Sequence, residues 1–314
     1  MAIRPNKGSA LISALFITAL AAIMATAIIV AQRLLIHQSS WVMATDQIYL
    51  NLQSMQQSEM ASVKQYVNGG TLQTTLPSVM IGDTTLSGYV ESAQNKFNLN
   101  ELVYPQNQVR FVALLRAVVP TLSAETASNI AESITAWMTS GAQNAYYFTL
   151  NPPYRSSQMQ MADASELRLV AGVTPDIYNA LVPFVTALPI TPPPPIPQNS
   201  KILPPAVQTP VDVNGVSWPV LLTVSSTLTQ SQAQSIAACV AQSGNFTDLN
   251  TFTTNCVAPA GVSGLAGLTT QSQYFLGVAI AQTGARVSRL TSLLVTQPQK
   301  DNKLGIVIIS QSFE

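Results

Sequence analysis

Residue types that usually carry chemistry are scarce in this chain of 314 residues. It has one histidine, His37, two cysteines, Cys239 and Cys256, and 14 basic side chains against 14 acidic ones. Nucleophilic catalysis needs a nucleophile with a base in reach, and a zinc pair needs histidines at helical spacing. No such set is visible, and no glycine-rich loop is built to cradle phosphate. His37 follows an apolar run, which is a headgroup position rather than a reaction site. Trp137 and Tyr146-Tyr147 read as core or packing surface, with an aromatic ligand cage as the alternative. The bases are spread thinly and form no Lys/Arg stripe, which argues against a nucleic-acid partner. The inventory predicts a protein that is not an enzyme and has no catalytic residues.

The even cysteine count and the export signal described below predict a Cys239–Cys256 disulfide outside the cytoplasm. Such a loop contributes about 3 kcal/mol in chain-entropy estimates. Two separate buried thiols are the alternative.

The elements that must position these residues begin with an unusual amino-terminal segment. Arg4 and Lys7 precede Gly8, and no further charge occurs until Arg33. Ser9 to Gln32 is thus an uncharged, largely apolar run, slightly more than the roughly 20 residues that cross a bilayer as helix. The leading cations orient it with the amino terminus in the cytoplasm and the rest outside. A cleavable secretory signal ending at Ala25-Thr26-Ala27 is the ordinary alternative, but Ile28-Ile29-Val30-Ala31 continues the apolar run beyond it. From Ser9 to Val67 there is neither Gly nor Pro, so nothing punctuates a helix. Trp41, Ile48, Leu52, Met55, Val63 and Tyr66 extend a helical stripe past the membrane run, and Asn68-Gly69-Gly70 supplies the stop. One helix over 9–67, with 9–32 in the membrane, would be roughly 90 Å long.

Beyond it, Leu86–Val90 reads as a strand, and about 106–265 reads as helices. Val109–Val119 stops at Pro120, Ser123 caps a helix through Met138, and Asp163 and Glu166 have capping-box spacing before Leu167–Val170. Gly172 breaks the chain before Thr174 caps a helix that opens on Pro175. Such a helix–Gly–helix hairpin can grip a DNA backbone, but without basic surroundings it reads as structural. Pro189–Pro210 holds nine prolines and predicts an extended strap joining two helical halves. The carboxyl end, 266–314, predicts a three-stranded meander: Tyr274, Leu276, Val278 and Ile280 alternate, Leu290, Ser292 and Leu294 follow, and Gly305–Ile309 is apolar. Gly284 and Lys300–Lys303 provide its turns.

A short basic leader ending in Gly, followed by a helix half in the membrane and half on a globular body, resembles the type IV pilin superfamily. Asn95-Lys96-Phe97-Asn98-Leu99-Asn100-Glu101-Leu102, Ser165–Val173 leading to Leu188-Pro189, and the looser Val211–Asn214 and Gly244-Asn245-Phe246 are similar to the K-type minor pseudopilins of type II secretion. The resemblance implies an α+β pilin fold in which 68–105 and 266–314 form the body and 106–265 is a large all-α insertion. It implies a leader, 1–8, removed by prepilin peptidase between Gly8 and Ser9, with N-methylation of Ser9. Family members carry Glu at the position of Ser13, and the K type typically lacks it. The implied location is the bacterial inner membrane as a single pass with the body periplasmic. The implied partners are the I- and J-type minor pseudopilins and the major pseudopilin. The implied role is at the tip of the pseudopilus, helping start its assembly and export folded proteins. A tip pilin or adhesin of a related filament is the alternative, and an exported hydrolase is a third.

K-type relatives bind calcium through acids in the loop that corresponds to Trp137–Tyr147. Here those acids are missing, and Asp163 and Glu166 are the closest acidic pair. Calcium takes about 6–8 oxygens. The expectation is that the metal is lost and no cofactor is needed, with polar contacts or the disulfide stabilising the insertion. Backbone carbonyls and Asn144 forming a weak site are the alternative.

Overall fold

The structure, a computed structural model, describes residues 7–70, 72–141, 145–190, 208–298 and 304–313, with backbone alone at 7–10. The chain runs α1 (Lys7–Val67), β1 (Thr75–Ile81), β2 (Thr84–Ser92), β3 (Phe97–Asn98), α2 (Pro105–Val118), α3 (Ala124–Met138), α4 (Pro175–Leu181) and β4 (Val185–Thr186). It continues with β5 (Val211–Asp212), α5 (Trp218–Leu221), α6 (Gln230–Ser243), α7 (Leu249–Phe252), β6 (Leu268–Thr269), β7 (Tyr274–Thr283), β8 (Arg286–Pro298) and β9 (Leu304–Phe313).

Without Gly or Pro after its first turn, α1 runs unbroken for 61 residues. It ends where the sequence supplies a left-handed residue. Gly69 takes φ +92, its amide donates to Tyr66 O and the Gly70 amide to Gln65 O, both at 3.0 Å. That pattern satisfies carbonyls the helix would otherwise leave open.

The body is a five-stranded antiparallel sheet in the order β1-β2-β7-β8-β9. Everything between β2 and β7, including all the later helices, is inserted at that one crossing. The β1–β2 and β7–β8 hairpin turns open on Gly82 and Gly284, whose φ values of +58 and +59 suit a two-residue connection.

α1 lies on this sheet through Ile48, Leu52, Met55, Glu59 and Val63, all buried. The opposing face is Leu86, Gly88 and Val90 on β2, Phe275, Gly277, Ala279 and Ala281 on β7, and Leu290 and Leu294 on β8. The predicted alternation along β7 is present, but Tyr274, Leu276 and Ile280 form the half-exposed side. The small residues of the other parity let the helix approach.

Three expectations are corrected. Trp41 is not part of the buried stripe: it is 68% exposed, because α1 leaves the end of the sheet before that turn, and the Arg286 guanidinium lies 5.0 Å from its ring. A second amino-terminal strand, β1, precedes the expected one. Its Pro77 falls at a register shift between Leu76 and Val79 on an edge strand, where a missing amide costs no ladder bond. The segment after Asp163 is a short 3₁₀ helix, Ala164–Leu169, rather than an α-helix. Glu166 does not close a capping box onto Asp163: its carboxylate accepts from the Ala162 amide at 2.7 Å and from Trp137 Nε1 at 3.1 Å. By contrast, Ser123 and Thr174 cap α3 and α4 through their side chains, and Pro175 opens α4.

The inserted helices form two separate cores. The first is built on Leu99, Phe111, Leu114, Ile130, Ile134 and Leu167, the second on Val213, Val220, Ile236, Phe252 and Val257. Most of the Pro-rich strap, like the turn at Lys300–Lys303, lies outside the described residues.

Candidate assembly surface

The most exposed apolar surface belongs to α1. From Leu11 to Met43 its large side chains face outward, among them Phe16 at 67% and Ile36 at 67% exposure. The helix is long and apolar enough to cross a membrane. A continuous apolar surface of this length requires lipid or protein neighbours. Ser13 sits exposed within it, so the stretch carries no acid at that turn. Gly8 and Ser9 lie in the first turns of the helix backbone, while residues 1–6 are outside the described residues.

The insertion is tied to the body by side-chain amides. Asn98 Oδ1 accepts from the Leu188 amide at 2.9 Å and the Asn100 amide at 3.2 Å. Its Nδ2 donates to Leu188 O at 3.1 Å and Thr209 Oγ1 at 3.0 Å. One buried residue thus holds both the departure and the return of the chain around the strap. Gln94 adds a bond to Pro210 O at 2.9 Å.

The same device occurs twice. Asn100 Oδ1 accepts from the Met161 amide, and its Nδ2 donates to Met161 O and Leu188 O. Asn214 Oδ1 accepts from the Phe246 amide, and its Nδ2 donates to Phe246 O and Thr270 O. Each Asn follows a side chain that bonds its amide, Asn98 in one half and Asp212 in the other. Asp163 and Asp248, each two residues past the second anchor, cap the helical turn that follows. Each half closes with a two-residue parallel ladder, β3 on β4 and β5 on β6. The two halves of the insertion are therefore built to one plan.

Three buried carboxylates were not singled out by sequence. Glu59 is fully buried, and neither of its oxygens has a hydrogen-bond partner. Burial raises it to about 8. Its signal is that 59 falls within the 52–55–63 stripe. Glu101 is pushed up to about 7 by burial, opposed by hydrogen bonds from Thr209. Asp212 is raised by burial, opposed by the Ser272 hydroxyl at 2.7 Å and the Asn214 amide at 2.9 Å.

Cys239 and Cys256 are joined, with Cα atoms 5.5 Å apart, and link α6 to the π-helical turn at Thr253–Val257. Asp163 and Glu166, the acidic pair of this half, bond to the chain itself. Glu166 is engaged as described, Asp163 caps the Ser165 amide at 2.8 Å, and no cluster of three metal-ligating side chains occurs among the described residues. Trp137 instead stacks edge-on to Tyr147 and Tyr154 in the first core. Asn144 lies outside the described residues.

The family described as type II secretion system (T2SS), protein K, matches residues 95–190, the first half of the insertion. The type II secretion system protein K of Aeromonas hydrophila is 30% identical over 250 residues, spanning 71% of this chain and 70% of that protein. That of Pseudomonas aeruginosa is 24% identical over 97% of this chain and 92% of its own length. In structure, 88% of the chain superposes on 99% of a chain from the GspK–GspI–GspJ complex of the enterotoxigenic Escherichia coli type 2 secretion system. The TM-score is 0.66 at 16% identity.

Proposed function

The chain belongs to the type II secretion system protein K family, and on that premise we propose that it is a minor pseudopilin at the tip of the pseudopilus. There it joins I- and J-type minor pseudopilins, helps start assembly on the major pseudopilin, and so serves export of folded proteins across the outer membrane. The observation that carries this reading is the pairing of an apolar α1, exposed from Leu11 to Met43, with a bulky insertion at the β2–β7 crossing. The helix offers a packing surface for neighbours and lipid. The insertion is too large for the packed shaft of a filament and suits its end.

In the same reading α1 anchors the chain in the inner membrane as a single pass, with the body in the periplasm. Prepilin peptidase cleaves between Gly8 and Ser9, and Ser9 becomes N-methylated. Ser13 stands where other subunits carry an acid to neutralise the amino terminus of the subunit above. A tip subunit has none above it, and an unpaired carboxylate in lipid is costly. The protein acts by packing and carries out no catalysis. It has dispensed with calcium, and Glu166 ties Trp137 to the Ala162 amide in the region where relatives hold the metal.

Co-expression of the full chain with I- and J-type minor pseudopilins and prepilin peptidase tests the assembly role. A detergent-stable complex of all three, and loss of secretion when this chain is deleted, are expected. A chain that binds neither partner while mediating surface adhesion would point to a tip adhesin of another filament. For the metal, calcium or a chelator should leave the melting temperature unchanged. Stoichiometric calcium in the purified protein would overturn that part.

A further inference from the structure

We propose that Glu59 is a proton-dependent latch on the seam between α1 and the sheet, seated in a hollow that Gly88 and Gly277 leave for it. The geometry is specific. A methyl group at Gly277 would collide with the Glu59 carboxylate, and one at Gly88 would come within 2.9 Å of Met55 Cγ and 3.3 Å of Glu59 Oε1. Neither glycine has positive φ, so no turn requires it. What each does is make room. The two glycines lie on adjacent strands, with Gly88 paired to Ala279 and Val90 to Gly277.

The carboxyl in this hollow is fully buried with both oxygens unbonded. A charged group there lacks everything that stabilises it, whereas a protonated one loses much less. No opposite charge faces it. Of the elements packed at this seam, β1, β7 and β9 bring no Asp, Glu, Lys or Arg. Tyr89 and Glu91 of β2, and exposed Arg289 of β8, project from the other face of the sheet. Tyr274 of β7 lies on that half-exposed side as well. On α1, Asp46 and Lys64 are exposed, and Tyr66, two turns along, donates to Thr270 O. The neighbouring polar pair on β8 and α1, Ser292 and Gln56, bond each other.

The sign of the pH effect follows. Glu59 is raised from 4.5 to about 8 in the folded chain. Between these values the folded state holds a proton that the unfolded chain has released, so stability falls as pH rises through the window. Below it, the latch is fully closed. Above it, the carboxylate seeks water and loosens α1 from β2 and β7.

Full-length protein in detergent, wild type and Glu59→Gln, is followed by thermal melting from about pH 5 to about pH 9 and by hydrogen exchange. The wild type should lose roughly 5–10 °C across the range, with amides of Met55–Val63 exchanging at least about tenfold faster at the alkaline end. The Gln variant should keep its local protection. The infrared band of protonated carboxyl at about pH 7.5 should be stronger in the wild type than in Glu59→Gln, a difference that isolates Glu59 from Glu101 and Asp212. Gly277→Ala should destabilise the wild type but be tolerated with Glu59→Ala, a non-additivity that reports the seat itself. Equal pH dependence of local exchange in both proteins, an equal carboxyl band in both, or additive effects of the two alanines would overturn the proposal.

Discussion

Replacing Asn98 with Ala should open the neck of the insertion. In the wild type four hydrogen bonds converge on its side chain, which is 2% exposed, and Leu188 and Asn100 beside it are fully buried. Removing them leaves the Leu188 and Asn100 amides without this acceptor. The Leu188 carbonyl is spared because Asn100 Nδ2 still reaches it at 2.9 Å. Each buried amide left without a partner costs about 1–3 kcal/mol, so the variant should lose about 4 kcal/mol in all, a large part of a typical domain's stability. At about 2–4 °C per kcal/mol, the melting temperature should fall by about 8–16 °C. Differential scanning calorimetry gives the number. Hydrogen exchange at Leu188 and Asn100 gives the place. A shift under about 2 °C with unchanged protection at Leu188 would instead mean that the flanking hydrophobic core alone holds the neck.

Asn214→Ala should act in the second half as Asn98 and Asn100 do in the first. The expected loss is about 2–4 kcal/mol, with faster exchange at Phe246 and Thr270 and unchanged protection around Met161. Glu101→Gln should reduce the loss of stability as pH rises from 4.5 to about 7, because the Gln oxygen can still accept from the Thr209 amide without ionising. Melting curves at the two ends of that window give the difference. Cys256→Ser should lower stability by about 3 kcal/mol for the loop of 17 residues it opens, and dithiothreitol on the wild type should reproduce the shift.

Much of this architecture is legible because local chemistry and tertiary structure agree. α1 follows from the absence of helix breakers between Ser9 and Val67, and its end from Asn68-Gly69-Gly70. Ser123, Thr174 and Pro175 cap helices because their side chains satisfy the local need at the helix start, wherever the helix then packs. Where reading failed, the deciding partner was distant or the residue type misleading. Pro77 hides β1, although an edge strand tolerates it. Glu166 has capping-box spacing, but its partners are Trp137 and Ala162. Glu59 reads as a solvated residue by type, and only its place in the stripe and the glycines across the seam reveal the hollow. The motif Phe97-Asn98-Leu99-Asn100 is visible in sequence. Its work is not, because the groups it bonds at Met161, Leu188 and Thr209 come from elsewhere in the chain. The duplicate at Val211–Asn214 is hidden for the same reason: the two halves share a bonding plan far more than a sequence.

In the proposed function, α1 remains part of the working protein as a filament subunit's anchor and packing helix. The mass of the mature amino terminus, on protein from a host with prepilin peptidase, tests it most directly. A chain beginning at N-methylated Ser9 is expected. A chain beginning at Ile28 would contradict it, because a secretory signal would then have removed the membrane half of the helix.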